Sequence, residues 1–254
     1  MKDFIKAIVD SRDVATVRDT FLTATRDAGF AHAFYAARFS LSVPPSIVRD
    51  PPVTFNNLPG ELLAQGEGLY GISRDAWVEW VLQNDGDITA TRLIAQVGAE
   101  RTPSLAMGAR NGMRAVQLLS LRNIVKHSVG AIMLIPGLNA EEDDLARLWE
   151  QRSADMWLLA RTLHMRVATL PREHPTSTLT ARQREVLSWR SAGKTVSEIG
   201  TILGITPATV EKHMRLAREA LGVDTTPQAV LKAHVTDQLF HPAYDPMTLH
   251  LPSG

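Results

Sequence analysis

The sequence predicts an α+β chain, in which an N-terminal α/β/α sandwich is followed by a small all-α domain of four helices. Three observations carry that expectation. Helix-period and strand-period segments alternate through the first 170 residues, and four short helices with local start and stop signals crowd into 179–240. Between them, Pro171-Arg-Glu-His-Pro175-Thr-Ser-Thr178 has the two prolines and the Thr/Ser cluster of an exposed linker. The expected layout is therefore an α/β domain at 1–170, a linker at 171–178, a helical domain at 179–240 and an irregular tail at 241–254.

Taken in order, helical patterns cover 3–9 and 14–28, and Gly29 stops the second. Residues 31–42, with Phe34, Tyr35 and Phe39, read as a strand. A helix is expected at 75–84 and a second at about 95–111, followed by strands at 115–122 and 129–135. The small-residue run Ser128-Val-Gly-Ala131 is explained by strand packing. The last element, 141–167, carries Leu145, Leu148, Arg152, Leu159 and Leu163 near helical spacing, with Trp149, Trp157 and Leu158 off that stripe. One face would then cover the sheet while another offers apolar surface to a second subunit. A helix buried on two sides is the alternative.

In the C-terminal part the ends of the helices are written in local chemistry. Thr180 with Gln183, and Thr195 with Glu198, have capping-box spacing. Gly193, Gly204 and Gly222 stand where left-handed residues close helices, and Pro207 and Pro227 where a missing N–H costs nothing. Helices follow at 181–191, 196–203, 207–221 and 227–236. Val186, Leu187, Ile199, Ile202, Leu203, Val210, Met214, Ala217 and Leu221 are positioned to share one core. Only Gly204, Ile205 and Thr206 separate the second helix from the third. Two helices joined by so short a turn form a helix-turn-helix, whose second helix can enter the major groove of DNA.

With Val210, Met214, Ala217 and Leu221 turned inward, Glu211, Lys212 and Arg215 project along one side of the third helix. Arg and Lys suit guanine O6 and N7, and Glu can accept from cytosine N4. Lys194, Thr195 and Thr209 suit phosphate, because helix N-termini and short hydroxyls position a backbone without reading bases. His213, on the flank of the apolar stripe, reads as a core-edge residue. Residues 176–240 carry eight Lys/Arg against six Asp/Glu, a small excess that points to a dimer as the DNA-binding species.

Composition narrows the rest. The net charge is zero and there is no Cys, which excludes disulfides and thiolate chemistry. Asp75 and Glu79 lie four apart, but no nucleophile or metal ligand accompanies them, and no G-x-S-x-G, H-E-x-x-H, P-loop or dinucleotide motif occurs. An enzyme is not expected, nor a metal or cofactor. The opening Met1–Asp10 is too short and charged for a signal peptide, and no apolar run reaches membrane-spanning length, so a cytoplasmic protein is expected.

From Leu179 to Ala233 the chain resembles the LuxR-type (GerE-like) DNA-binding domain. The resemblance rests on Leu179-Thr180-Ala-Arg-Gln-Arg-Glu185-Val-Leu-Ser-Trp189, Gly193-Lys194-Thr195, Glu198-Ile199, Leu203-Gly204-Ile205, Thr209-Val210, His213, Leu221-Gly222-Val223 and Gln228-Ala229-Val230. It points to the same Glu211, Lys212 and Arg215 as groove-facing residues. Ala220 stands where the family has Lys, and Thr225-Thr226-Pro227 where it has Asn-Arg-Thr. The first 170 residues resemble, more weakly, the family's autoinducer-binding domain. Asn57-Leu58-Pro59-Gly-Glu-Leu62 lies on Asn-Tyr-Pro-x-x-Trp, Asp75-Ala76 on Asp-Pro, and Ala115 follows Gly112-Met113-Arg114 where the family has Gly. The resemblance makes Asp75 a pocket residue and replaces the pocket Trp by Leu62 and the pocket Tyr by Gly66. Tyr70, Trp77 and Trp80 would add an aromatic lining, with ordinary core the alternative for aromatics at helical spacing, and for Asp75 a plain helix N-cap is an equal explanation. An apolar cavity within 30–135 that responds poorly to ordinary acyl-homoserine lactones is the expectation.

Together these imply a quorum-sensing type of transcription factor controlled by a small molecule, whether an acyl-homoserine lactone or another effector. The alternative is a ligand-independent regulator whose first domain serves dimerisation or protein interaction. Expected partners are double-stranded DNA, a second copy of the chain, the effector and RNA polymerase, with no membrane.

Overall fold

The computed structural model describes residues 1–39, 52–60, 75–170, 179–236 and 238–239. They fall into two compact units, one within 1–170 and one within 179–239.

The first unit opens with α1 (Lys2–Asp10) and α2 (Val14–Asp27), the latter capped by Asp13, whose carboxylate accepts from the Thr16 N–H at 2.8 Å. Strands β1 (His32–Arg38) and β2 (Val53–Asn56) follow, then α3 (Ala76–Gln83), β3 (Gly86–Thr89), α4 (Ala90–Val97) and α5 (Pro103–Arg110). Next come β4 (Gln117–Ser120), β5 (Val129–Ile135) and the long α6 (Glu142–Thr169). The five strands form one antiparallel sheet in the order β2-β1-β5-β4-β3.

Strand alternation sorts the side chains into two layers. Tyr35, Phe55, Leu119, Ile132 and Leu134 pack against Ile8, Val17 and Phe21 of α1 and α2 and against Leu145, Leu159, Leu163 and Val167 of α6. Phe34, Ile88, Val116, Leu118 and Ala131 face the opposite way, onto Trp77 and Val81 of α3, Leu93 of α4 and Leu105 of α5. Period-two strands bury both faces only when helices cover both, and the α/β/α sandwich is the result.

Several boundaries differ from the sequence expectation. The single helix expected near 95–111 is two, because Gly98 turns the chain at φ +93° into one 3₁₀ turn (Ala99–Arg101), and Pro103 starts a new helix. Strands β2 and β3 were not anticipated, since four residues such as Gly86-Asp-Ile-Thr89 are too few to show a period. Of the expected strand at 31–42, β1 covers His32–Arg38, and residues 40–42 lie outside the described part. On α6, Arg152 is exposed and not part of the inward stripe. Trp149 packs edge-on to Phe30, and Trp157 donates its indole N–H to Asp87 at 3.1 Å while Arg161 lies over its ring. Both tryptophans belong to this unit's own packing, and the outward apolar residues of α6 are Leu158 and Met165, 52% and 48% exposed.

A buried polar post joins α6 to the sheet. His164 is fully buried between Tyr35 on β1, whose hydroxyl lies 3.0 Å from Nδ1, and Ser128, whose Oγ lies 2.9 Å from Nε2. Ser128 gives its proton to the Val125 carbonyl at 2.8 Å, so the imidazole N–H sits on Nε2 and Nδ1 accepts from Tyr35. Gly130 makes the space, because a Cβ there would meet His164 Cε1 at 2.8 Å, which gives the small-residue run a specific reason. Burial pushes the imidazole down from 6.5 to about 4. The unfolded imidazole therefore takes up its proton first as pH falls, so the stabilisation is complete above pH 6.5 and is lost as pH drops toward 4. A lowering of that size corresponds to about 3 kcal/mol. In urea titrations across this window, His164→Leu should have a shallower pH dependence than the natural chain, and parallel curves would contradict the assignment.

The second unit comprises α7 (Ala181–Ser191), α8 (Val196–Leu203), α9 (Pro207–Leu221) and α10 (Thr226–Val235). Capping boxes at Thr180–Gln183, Thr195–Glu198 and Thr225–Gln228 start three of them, and left-handed Gly204 and Gly222 end α8 and α9. The core has two parts. Val186, Ile199, Val210 and Met214 form one, and Leu179, Leu187, Ala217, Leu221, Ala229 and Ala233 the other. Ile202, expected in this core, is 44% exposed, because Val196, Ile199 and Leu203 already define the inward side of a two-turn helix and position 202 lies about 90° away from their mean.

Candidate functional site

The turn between α8 and α9 fixes the position of the candidate DNA-reading helix. Gly204 adopts φ +63° and ψ +35°, and its N–H bonds back to the Thr201 carbonyl, while the Ile205 N–H reaches the Gly200 carbonyl at 2.9 Å. Gly200 is buried against this turn, and a Cβ on it would lie 2.8 Å from the Ile205 carbonyl oxygen. Thr206 then caps α9, and Pro207 occupies its first turn.

On α9, Val210, Met214, Ala217 and Leu221 are buried and Glu211, Lys212 and Arg215 are exposed. Among the described residues, neither Glu211 nor Lys212 makes a side-chain hydrogen bond or ion pair. Arg215 instead gives Nη1–H to Glu219 at 2.6 Å, one turn further along the same face. An exposed i,i+4 pair is worth only about 0.3–0.5 kcal/mol. A bidentate guanine contact is worth about 1–3 kcal/mol, so Glu219 holds the guanidinium without preventing its transfer to a base.

The residues expected at phosphate are more engaged locally. Thr195 Oγ accepts from the Glu198 N–H and donates to Glu198 Oε2 at 2.8 Å, and its own N–H reaches the same oxygen. Those hydrogen bonds, more than nearby Lys194, hold the Glu198 carboxyl below the usual carboxylate range. Lys194 Nζ lies 3.6 Å from Glu198 at the surface. Thr209 is half-buried, and its hydroxyl is shared with Thr206 at 2.8 Å. Thr195 thus serves as the cap of α8, and Thr209 gives its N–H to, and shares its hydroxyl with, Thr206, the cap of α9.

In the first unit, Asp75 is buried and N-caps α3, with Oδ1 accepting from the Trp77 N–H at 3.3 Å. Its other oxygen accepts from both the N–H and the hydroxyl of Ser104, at 2.9 and 2.6 Å. Thr102, the residue preceding α5, makes no side-chain cap, so Asp75 caps two helices at once. Two positive helix ends then stabilise a buried carboxylate that meets no cation among the described residues. Trp77, also buried, donates its indole N–H to Ser104 Oγ at 3.0 Å. Ser104 is the residue that sequence reasoning missed, and a partner 29 positions away leaves no periodic or motif signal.

Ala115 does not join this cluster. It packs with α1, α2 and α6, in the other layer from Trp77, because the chain there alternates and sends Val116 toward α3. Leu62, Gly66 and Tyr70 lie outside the described residues.

Residues 177–233 match the family model described as bacterial regulatory proteins, luxR family. The transcriptional activator protein SolR of Ralstonia solanacearum is 30% identical over 226 residues, covering 83% of this chain and 86% of that protein. AhyR of Aeromonas hydrophila, also named a transcriptional activator, is 26% identical over 212 residues, 80% of this chain and 79% of its own. The crystal structure of Escherichia coli SdiA shares the fold, with a TM-score of 0.62 at 18% identity over 94% of this chain and 97% of that one. SdiA in complex with octanoyl-rac-glycerol gives 0.57 at 16% identity, over 92% and 93%.

Proposed function

The chain belongs to the LuxR family of bacterial regulatory proteins, and from that premise we propose that α9 reads the major groove through Arg215, Lys212 and Glu211. The protein is a transcription factor with a C-terminal DNA-binding unit and an N-terminal regulatory one, and it is not an enzyme. The observation that carries the reading of α9 is its division into a buried apolar stripe and an exposed Glu211–Lys212–Arg215 face, held against α8 by a glycine-closed turn. Lys194, with Thr195 at the start of α8 and Thr209 in the first turn of α9, is assigned to phosphate. In a binding-site selection, Arg215→Ala should cost about 1–3 kcal/mol on the preferred site and relax one base position. Lys194→Ala should weaken all sequences alike and flatten the salt dependence. An unchanged base preference would remove Arg215 from the readout, and an unchanged salt slope would remove Lys194.

The regulatory input is a small molecule, which we place in the layer between the sheet and α3–α5; that the similar SdiA forms a complex with octanoyl-rac-glycerol supports a small-molecule input. To act, it must bind the DNA-competent and incompetent arrangements with different affinities, since equal affinity shifts nothing. The operating species is a homodimer, supported by the small charge excess of one reading unit and by the outward Leu158 and Met165 of α6. It would span two half-sites about 34 Å apart. Leu158→Glu should move sedimenting mass toward the monomer, and a wild-type monomer that binds a single half-site tightly would refute the dimer. RNA polymerase is the partner through which such binding changes transcription. No helix among the described residues is long and apolar enough to cross a membrane, and we place the protein with its DNA in the cytoplasm.

A further inference from the structure

The hydrogen bonds around Ser104 bear on the kind of molecule the first unit accepts. Asp75 Oδ2 is an acceptor and the Trp77 indole N–H a donor, and one hydroxyl serves both. Ser104 Oγ donates to Asp75 at 2.6 Å and accepts from Trp77 at 3.0 Å. An acyl amide needs that same pairing, a carboxylate for its N–H and an N–H for its carbonyl. The Ser104 N–H takes a further acceptor position on Oδ2 at 2.9 Å, so this oxygen is already twice hydrogen-bonded. Of the sheet residues facing the same layer, Phe34, Val116, Leu118, Ala131 and Met133 are apolar, and the buried Ser120 gives its hydroxyl to the Val81 carbonyl of α3 at 3.0 Å.

We propose that Ser104 sets the ligand class: by filling the Asp75–Trp77 acceptor–donor pair from within the chain, it disfavours acyl amides and leaves the site to acyl-chain molecules without an amide N–H, such as acyl esters. This rests on the small-molecule reading given above. An amide that binds through Oδ2 must displace the Ser104 hydroxyl from a charge-assisted hydrogen bond, Oδ1 being engaged by the Trp77 N–H at the start of α3, whereas an ester gains nothing from doing so.

The test is calorimetric titration of the full chain with two probes of equal acyl length, N-octanoyl-homoserine lactone and 1-octanoylglycerol. The natural chain should bind the ester at least about 10-fold more tightly than the amide, the ratio expected when one charged hydrogen bond must be given up. Ser104→Ala should tighten the amide by about the same factor and leave the ester unchanged. Ser104→Thr, which keeps the hydroxyl, should keep the natural preference. Equal affinities in the natural chain would overturn the proposal, as would a folded Ser104→Ala whose amide affinity does not rise. If Ser104→Ala does not fold, the natural ratio and the threonine variant decide. In either of those overturning cases the small-molecule reading survives, because ligands still bind; binding of neither probe to the natural chain or to the variants overturns that reading together with the proposal.

Discussion

Asp75→Ala should unfold the N-terminal unit at markedly lower urea, with a loss of about 3 kcal/mol. The substitution removes one carboxylate and strands three donors: the Trp77 N–H, the Ser104 N–H and the Ser104 hydroxyl. A lost N-cap costs about 1 kcal/mol when solvent can replace it, and a buried donor left unpaired about 1–3 kcal/mol. Here two helix starts lose their cap together, and Asp75 is only 2% exposed, so water is a poor replacement. The Ser104 hydroxyl can rotate to another acceptor, which keeps the sum near the lower end. Asp75→Asn retains one acceptor oxygen and should lose about half as much. The measurement is a denaturant titration followed by tryptophan fluorescence, for which Trp77 and Trp80 on α3 are reporters close to the change. A midpoint equal to that of the natural chain would mean that Asp75 is not the joint between α3 and α5. The expected destabilisation also bears on ligand studies, since a binding defect in Asp75→Ala would follow from the lost joint whether or not Asp75 touches a ligand.

Gly200→Val should abolish specific DNA binding while the N-terminal unit still unfolds in its own transition. A Cβ at this position would stand 2.8 Å from the Ile205 carbonyl oxygen and 3.6 Å from the Pro207 nitrogen, so the side chain meets backbone that cannot turn aside. Relief requires α8 and the start of α9 to separate. Overpacking of this kind costs about 1–3 kcal/mol, and more for a branched side chain, against a gain of a few tenths from replacing glycine within a helix. The unit has about 60 residues, near the lower limit for autonomous folding, and has little stability to lose. Gly204→Ala provides the contrast. Nothing lies within 4 Å of a Cβ there, and only the left-handed backbone at φ +63° is penalised, by about 1 kcal/mol. Calorimetry should therefore show the second transition displaced far more by Gly200→Val than by Gly204→Ala, with DNA affinity falling in the same order. Equal displacements would contradict the tight approach at Gly200.

What the sequence by itself determined lies mostly within one or two helical turns. Thr180, Thr195, Gly204, Pro207 and Gly222 act on backbone groups no more than five residues away, so their types and spacings were enough to place α7, α8 and α9, the turn between α8 and α9, and the exposed side formed by Glu211, Lys212 and Arg215. Long periodic runs located α6 and β5 for the same reason. The Arg215–Glu219 pair was equally local, and the (i, i+4) spacing would have revealed it. Only the tertiary structure decided the rest. Short edge strands β2 and β3 exist because a neighbouring strand pairs with them, not because four residues prefer to be extended. Ala115 and Val116 are adjacent in sequence, yet the sheet divides them between opposite layers, and no local preference specifies which layer each joins. Ser104 reaches Asp75 across 29 residues, and His164 reaches Tyr35 across 129. A cap is legible because its donor is nearby in the chain, whereas a buried polar contact between distant segments is set by how the helices and sheet pack, which residue spacing does not encode.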